Sequence, residues 1–275
     1  MLIPALFAGA DSRKVAVLAK PTATLTVVRT ERLAPHLVRV YLGGPGFDSF
    51  VPNGFTDAYV KIEFEADGDL TLRTYTIRSV DPVAREIAID FVVHGDVGIA
   101  GPWAANAEPG QTVTVRGPGG AYAPDPSADW YLFAGDETAI PAIAASVEAL
   151  PADAIGDVVV EVGGADDEIA IAAPQGVTVR WVHRGASSDA VGDDRAGDNA
   201  PLVEAVRSIE WRAGDAQVFV HGEAQAVMHN LRPYIRKERG VPAARASISG
   251  YWRRGRTEEG FRVWKRELAE AEASA

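Results

Sequence analysis

Residues 123–129 carry two prolines, Pro124 and Pro126, and the hydrophobic pattern of the chain changes across them. Before this stretch, short segments alternate apolar and polar residues between turns. In residues 58–65, Val60, Ile62 and Phe64 lie on one side of an extended chain and Tyr59, Lys61 and Glu63 on the other. A period of two describes a half-buried strand. After the stretch, residues 158–162 are continuously apolar except for Glu161, residues 130–134 and 177–182 are similarly rich in apolar residues, and helical segments intervene. Such runs suit strands covered on both faces, as in parallel sheets. One chain therefore has to hold two architectures, and its 275 residues are enough for both.

The first half, residues 23–124, reads as a six-stranded antiparallel β-barrel. Its strands are expected over residues 24–30, 36–42, 58–65, 72–79, 86–93 and 112–116. Turn residues separate them, including Gly43-Gly44-Pro45-Gly46, Asp67-Gly68-Asp69, Asp81-Pro82 and Gly117-Pro118-Gly119-Gly120. Residues 1–22 read as an N-terminal extension. The second half, residues 129–275, reads as a doubly wound α/β domain with a C-terminal helix. Its strands are expected over 130–134, 158–162, 177–182, 217–221 and 244–249. Its helices are expected from about 141 to 150, over 202–209 and over 223–239. Residues 185–199, polar and rich in glycine, read as a mobile loop.

Composition narrows the function. A formal net charge of −11 argues against a general nucleic-acid binder. The chain has no cysteine, which excludes disulfides, thiolate metal sites and a cysteine nucleophile. No apolar run approaches the roughly 20 residues of a membrane span. The mildly apolar start, Met1 to Ala10, has no basic residue before it, unlike an export signal. A cytoplasmic monomer that binds neither membrane nor nucleic acid is the expectation. No catalytic triad and no metal-ligand cluster is legible. His183 and His221 read as strand-end histidines, and Asp166-Asp167-Glu168 and Asp193-Asp194 as solvated loop charges.

Leu72-Arg73-Thr74-Tyr75-Thr76-Ile77-Arg78-Ser79 is the most polar of the expected strands that still has an aromatic at its centre. Strand alternation puts Arg73 and Tyr75 on one face, Thr76 and Arg78 on the other. An aromatic ring beside a guanidinium suits a ligand that is planar and anionic, as a flavin nucleotide is. Downstream, Gly98-Ile99-Ala100-Gly101-Pro102-Trp103-Ala104 reads as a helix start. It is either a plain turn or an anion site, since helix N-termini carry uncovered N–H groups and partial positive charge. In the second half, ligands are expected beyond the C-terminal ends of the strands, at residues 135–138 and 221–223. Neither loop is a G-x-G-x-x-G fingerprint, and Asp136 or Thr138 also suits a helix cap. The segment Gly250-Tyr251-Trp252-Arg253-Arg254-Gly255-Arg256 reads either as a solvated turn or as a lid on a planar ligand.

These motifs occur in one order: Arg73-Thr74-Tyr75-Thr76-Ile77-Arg78, Asp90-Phe91-Val92-Val93-His94-Gly95, the segment ending Trp103-Ala104, Gly135-Asp136-Glu137-Thr138-Ala139-Ile140-Pro141-Ala142-Ile143, and Gly250-Tyr251-Trp252-Arg253. Together they resemble the siderophore-interacting proteins, flavin-dependent ferric-siderophore reductases with the ferredoxin-reductase-like layout. The resemblance runs from about residue 57 to 260. It implies FAD as cofactor, with the barrel as the FAD-binding domain and the α/β domain as the NAD(P)H-binding type. It implies that Arg73, Tyr75 and Thr76 hold the flavin ring and adjoining phosphate, with Arg78 nearby. His94, Gly98, Ala100, Gly101 and Trp103 would serve the diphosphate and adenosine side. Asp136, Glu137 and Thr138 would lie near the ring, and Tyr251 and Trp252 would approach from the tail.

The implied activity is one-electron reduction of Fe(III) in a siderophore, which loosens oxygen ligation and releases Fe(II). The protein then binds and orients the cofactor, and no side chain is needed as nucleophile or general base. Lys61 is the first candidate for the chelate, since Asp57-x-x-x-Lys61 resembles the family's substrate-side lysine motif; a solvated strand lysine is the plain reading. Arg253, Arg254 and Arg116 follow. Two departures stand out: Gly98-Ile99-Ala100 where the family commonly has Gly-Pro-Ala, and Gly119 where it often has an arginine. The electron donor is NADH, NADPH or ferredoxin, and the acidic loop Gly163-Gly164-Ala165-Asp166-Asp167-Glu168 tilts the reading toward NADH. A flavin oxidoreductase with another acceptor, or a non-catalytic siderophore-binding flavoprotein, are the alternatives.

Overall fold

The computed structural model describes residues 21–66, 68–94 and 98–273; most of the expected N-terminal extension and the Gly95-Asp96-Val97 turn lie outside them. The first unit is a closed barrel in the order β1-β2-β5-β4-β3-β6. Its strands are β1 (Thr22–Ala34), β2 (Leu37–Gly43), β3 (Tyr59–Ala66), β4 (Asp69–Asp81), β5 (Glu86–Val92) and β6 (Thr112–Gly119). All neighbouring pairs are antiparallel. Val60 and Ile62 of β3, Ile87, Ile89 and Phe91 of β5, and Leu25 of β1 are fully buried inside it.

Three strands run further than the sequence reading places them. Strand β1 extends to Ala34 because its register slips between Val27 and Arg29 and between Arg32 and Ala34. Bulges of this kind break the alternation on which the reading depends. Strand β4 continues to Asp81. Strand β6 carries its pairing through Gly119, opposite Tyr59, so the glycines read as a turn are part of the ladder. A short helix, α1 (Ala100–Ala105), lies between β5 and β6.

The second unit is a five-stranded parallel sheet in the order β11-β10-β7-β8-β9. The strands are β7 (Trp130–Asp136), β8 (Ile155–Val162), β9 (Gly176–His183), β10 (Ala216–Glu223) and β11 (Ala246–Trp252). Helix α2 (Ile140–Glu148) covers one face through Ile140, Ile143 and Val147. Helix α3 (Pro201–Arg207) and the segment after β10 cover the other through Leu202, Val206, Val227 and Leu231. The sheet is therefore doubly wound, with its strand order reversing between β7 and β10.

Residues 223–239 do not form one α-helix. Gln225–Leu231 and Tyr234–Glu238 are π-helical turns, in which N–H groups reach five residues back, Arg239 to Tyr234 among them. Pro233 sits between them and has no N–H to donate, so the ordinary ladder is interrupted there. The expected strand at 244–249 extends to Trp252, which puts Gly250, Tyr251 and Trp252 in β11 and not in the turn before the final helix, α4 (Glu258–Ala273). Gly135 and Asp136 likewise end β7 instead of opening a loop. The stretch with two prolines is tied to the sheet: Asp125 N–H donates to Gln217 at 2.7 Å, and Tyr131 Oη donates to the Asp125 carbonyl at 2.8 Å. No helix among the described residues is long and apolar enough to cross a membrane.

Candidate functional site

Strand β4 runs into the junction of barrel, α2, β11 and α4. Arg73 and Tyr75 stand opposite Ile62 and Val60, on the side of β4 that faces the barrel interior. Tyr75 packs on Phe91 with centroids 4.3 Å apart, and burial pushes its hydroxyl pKa well up. Trp103 stands 5.5 Å from both Phe64 and Phe91, so α1 is anchored to the barrel by the ring placed among the cofactor residues. Arg73 turns out toward α4. Its Nη1 donates to Glu259 at 2.7 Å and its Nε lies 3.7 Å from Glu258. Thr74 Oγ1 donates to Glu258 at 3.2 Å.

On the other face, Thr76 is buried and its side chain is hydrogen-bonded to that of Tyr251. Arg78 pairs with Glu148 at the end of α2, which links the two units. The register of β4 slips between Ile77 and Ser79, so strict alternation does not extend through Arg78. Tyr251 rests edge-on against His221, with centroids 4.7 Å apart.

His94 follows β5. Its Nδ1 is buried without a hydrogen-bond partner, and the nearest carboxylate, on Asp189, is 3.9 Å away. His94 lines a narrow cavity between the units with His36, Glu137, Asp167 and Arg184. Gly98 takes φ +84, and a Cβ there would meet nothing within 4 Å, whereas a Cβ on Gly101 would approach the Val92 carbonyl to 3.2 Å. Ala100 is buried. The start of α1 is thus bare backbone with open space at Gly98.

Asp136 lies where β7 meets β10, at the reversal in strand order and the C-terminal end of the sheet. Both oxygens are committed. Oδ1 accepts from Thr138 N at 2.9 Å and from Thr138 Oγ1 at 2.5 Å; Oδ2 accepts from Glu223 N at 2.7 Å and from Trp252 Nε1 at 2.8 Å. Asp136, Thr138 and Trp252 form a bonded knot that joins β7, β10 and β11. Glu137 turns away from it to Arg184, which it grips through both oxygens at 2.7 and 2.5 Å. Glu161 lies 3.6 Å from the same guanidinium. Burial raises Glu137, and raises Glu161 to about 7.

The four cations proposed for substrate fall in two places. Lys61 and Arg116 are directly opposite on β3 and β6. Arg116 is paired with Glu63; Lys61, half-buried, has no ion pair among the described residues. Arg253 donates to Gln225 at 3.0 Å and lies over the Trp264 ring at 4.7 Å. Arg254 holds Asp193 at 2.7 Å and also the Val191 carbonyl. The segment read as a mobile loop is therefore pinned, with Arg195 donating to the His183 and Arg184 carbonyls at 2.6 and 2.8 Å.

Three further sequence readings are corrected. Asp167 is not a solvated charge: it pairs with His36 of the barrel at 2.8 Å and its side chain is 12% exposed. Glu168 pairs with His183 at 2.7 Å, so that histidine does have a carboxylate partner. The acidic loop read as favouring NADH thus spends two of its three carboxylates on histidines. The acids of α4 were not among the candidates. Thr257-Glu258-Glu259 reads locally as a helix start, and nothing near it in sequence points to Arg73.

Comparison with known proteins follows this architecture. Residues 26–71 and 63–122 match the siderophore-interacting FAD-binding domain, and residues 128–255 match the siderophore-interacting protein model. An uncharacterized protein of Mycobacterium tuberculosis is 60% identical, over 92% of this chain and 98% of its own. The ferric vibriobactin reductase of Vibrio cholerae is 31% identical, over 86% of this chain and 91% of its own. The chain belongs to the siderophore-interacting protein family. The crystal structure of the siderophore-interacting protein SipS from Aeromonas hydrophila superposes with a TM-score of 0.79 at 30% identity, covering 91% of this chain and 99% of that one. In this family member, the barrel and the doubly wound sheet meet at β4 and β7, the strands that carry Arg73, Tyr75 and Asp136.

Proposed function

We propose that this chain is an FAD-dependent oxidoreductase that reduces ferric siderophores, taking electrons from NAD(P)H or reduced ferredoxin. The observation that carries this reading is the shared face of Arg73 and Tyr75 on β4, at the junction of the two units. A cation beside a ring, fixed by Phe91 behind it, suits a planar anion.

The residues present fit FAD. Arg73 supplies a guanidinium for the phosphate, and it is now held by carboxylates that a phosphate resembles in charge. The orphaned Nδ1 of His94 is a buried polar atom with bonding capacity to spare. Bare backbone at Gly98 leaves room for a phosphate at the start of α1. Tyr75 and Thr76 would hold the ring from the barrel, and Tyr251, bonded to Thr76, would close it from β11. Asp136, Thr138 and Trp252 would act by positioning β11 and its Tyr251, since their own polar groups are bonded to each other. When bound, FAD accepts electrons in pairs and delivers them singly, which matches a two-electron donor to one-electron Fe(III). Lys61 would draw the chelate toward the barrel face.

The test is anaerobic. The FAD-loaded protein is mixed with NADH, NADPH or reduced ferredoxin, bleaching of the flavin is followed, and a panel of ferric siderophores is then added. Reoxidation with release of Fe(II) is expected. Bleaching with transfer only to dyes or quinones indicates another acceptor, and a flavin that no donor bleaches indicates a carrier.

A further inference from the structure

The outer face of the β4-β3-β6 ladder carries an arrangement that the cofactor does not use. Tyr59 is flanked in register by Thr76 and Gly119, and Lys61 by Thr74 and Arg116. Residues directly opposite project to one face. Val60 and Ile62 between them are fully buried, so Tyr59 and Lys61 share the outward side.

Gly119 is bare because Tyr59 lies across it. A Cβ there would stand 2.4, 2.6 and 2.8 Å from the ring atoms Cζ, Oη and Cε1. On Gly120 a Cβ would stand 2.9 Å from the Cβ of Phe55, a ring residue that is 41% exposed. The turn that carries Phe55 is fixed to the glycine segment. Asp57 Oδ1 accepts from Ala121 N at 2.8 Å and Tyr122 N at 2.9 Å, and Thr56 N donates to the Tyr122 carbonyl at 2.9 Å. Two side-chain-free residues and two aromatic ones therefore make a held, shallow aromatic shelf. Its charge is small: Glu63 offsets Arg116, and Lys61 is left as one uncompensated cation.

We infer that Tyr59 and Phe55, set over Gly119 and Gly120, are specificity-determining residues for the ferric chelate. The shelf takes a chelate that presents an aromatic ring, such as a phenolate ligand, and carries little net negative charge. Rings pack on rings with a modest preference over aliphatic groups, and one lysine neutralises one negative charge. A triply anionic tris-catecholate finds no second cation free on this face, and an aliphatic hydroxamate finds no use for the rings. The inference rests on the reading that the barrel face beside Lys61 receives the chelate.

The experiment uses FAD-loaded protein and three probes: a ferric chelate of a phenolate-bearing ligand, ferric tris-hydroxamate and ferric tris-catecholate. Binding is read by quenching of flavin fluorescence, and reduction by Fe(II) release. The parent is expected to bind the phenolate chelate most tightly. Tyr59→Ser and Phe55→Ala are expected to weaken the phenolate chelate about three- to tenfold and to change the hydroxamate less than about twofold. Tyr59→Phe keeps the parent's selectivity. Gly119→Ala, whose new methyl displaces the Tyr59 ring, reproduces the loss without touching an aromatic residue. Equal effects on phenolate and hydroxamate chelates, or none on either, overturn the inference while leaving ferric reduction standing. Tyr59-dependent binding without any Fe(II) release supports the shelf and removes the reductase reading. Absence of chelate binding overturns both.

Discussion

Arg73 and Glu259, far apart in the chain, are joined by a 2.7 Å hydrogen bond from the guanidinium Nη1 to the carboxylate. Glu258 lies beside them and also accepts from Thr74. The first turn of α4 therefore rests on the cation that the barrel offers to a phosphate. Burial raises the pKa of Glu258, as a partly desolvated carboxylate requires.

Competition between α4 and a phosphate makes a measurable difference. Glu258→Gln/Glu259→Gln is expected to tighten FAD about two- to fivefold, the scale of a partly exposed ion pair. Arg73→Ala is expected to weaken it about tenfold or more, since charge-assisted hydrogen bonds are lost. Titration of the apoprotein with FAD, read by flavin fluorescence, checks both. Equal FAD affinity in all three proteins would remove Arg73 from the site.

Tyr75 has two roles that separate on substitution. Tyr75→Phe retains the ring contact with Phe91 and is expected to keep stability within about 1 kcal/mol. Tyr75→Ala opens the barrel end and is expected to cost about 2–4 kcal/mol as well as FAD retention. Urea unfolding of the apoproteins gives the first quantity, and FAD retained through gel filtration gives the second.

Asp136 tests whether the knot acts by positioning. Asp136→Asn presents an amide group to donors from Thr138, Glu223 and Trp252 and leaves at least one of them facing another donor. A loss of about 2–3 kcal/mol in stability is expected, together with a red-shifted Trp252 fluorescence. Stability equal to the parent's would show that the four bonds are not what joins β11 to the sheet.

Two buried groups oppose each other in pH. Burial, aided by the Lys265 charge, pushes His221 down to about 3, so as pH falls below about 6.5 the unfolded chain binds a proton that the folded chain refuses. That stability is full above this pH and is lost as pH falls toward 3. Burial pushes Glu161 up to about 7, so the folded chain keeps a proton that the unfolded chain releases above about 4.3. That stability is full at low pH and is lost as pH rises toward 7. Between about pH 4.5 and 6.5 the two slopes, each about 1.4 kcal/mol per pH unit, cancel. Glu161→Gln is expected to become more stable with rising pH relative to the parent, and His221→Gln less stable. Urea midpoints at intervals across this window measure both, and parallel curves for all three proteins would contradict the assignment.

The two-unit layout and the strand of Arg73 and Tyr75 are legible in the sequence because they rest on local periodicity. Alternation in β3 and β5 and the apolar runs of β7 and β8 follow from which faces are buried. Where that periodicity breaks, the reading shortens: at the bulges of β1, at the Gly117–Gly119 end of β6, and at Pro233, where the helix becomes π-helical. The extension of β11 through Trp252 was missed because glycine and arginine around two aromatics look like a turn until Asp136 supplies a partner for the indole.

By itself the sequence determined the barrel, the doubly wound sheet and the family's ordered motifs, since each is written in neighbouring residues. Only the tertiary structure decided which charges are free. Arg73 meets Glu259, Arg78 meets Glu148, Asp167 meets His36 and Arg254 meets Asp193, each across a distance in sequence that no local pattern spans. Charges find partners by proximity in space, and proximity is set by how sheet and barrel pack. That is why Lys61 emerges as the cation left without an ion pair among the proposed substrate residues, and why the Tyr59 ring over Gly119 came to light only with the fold.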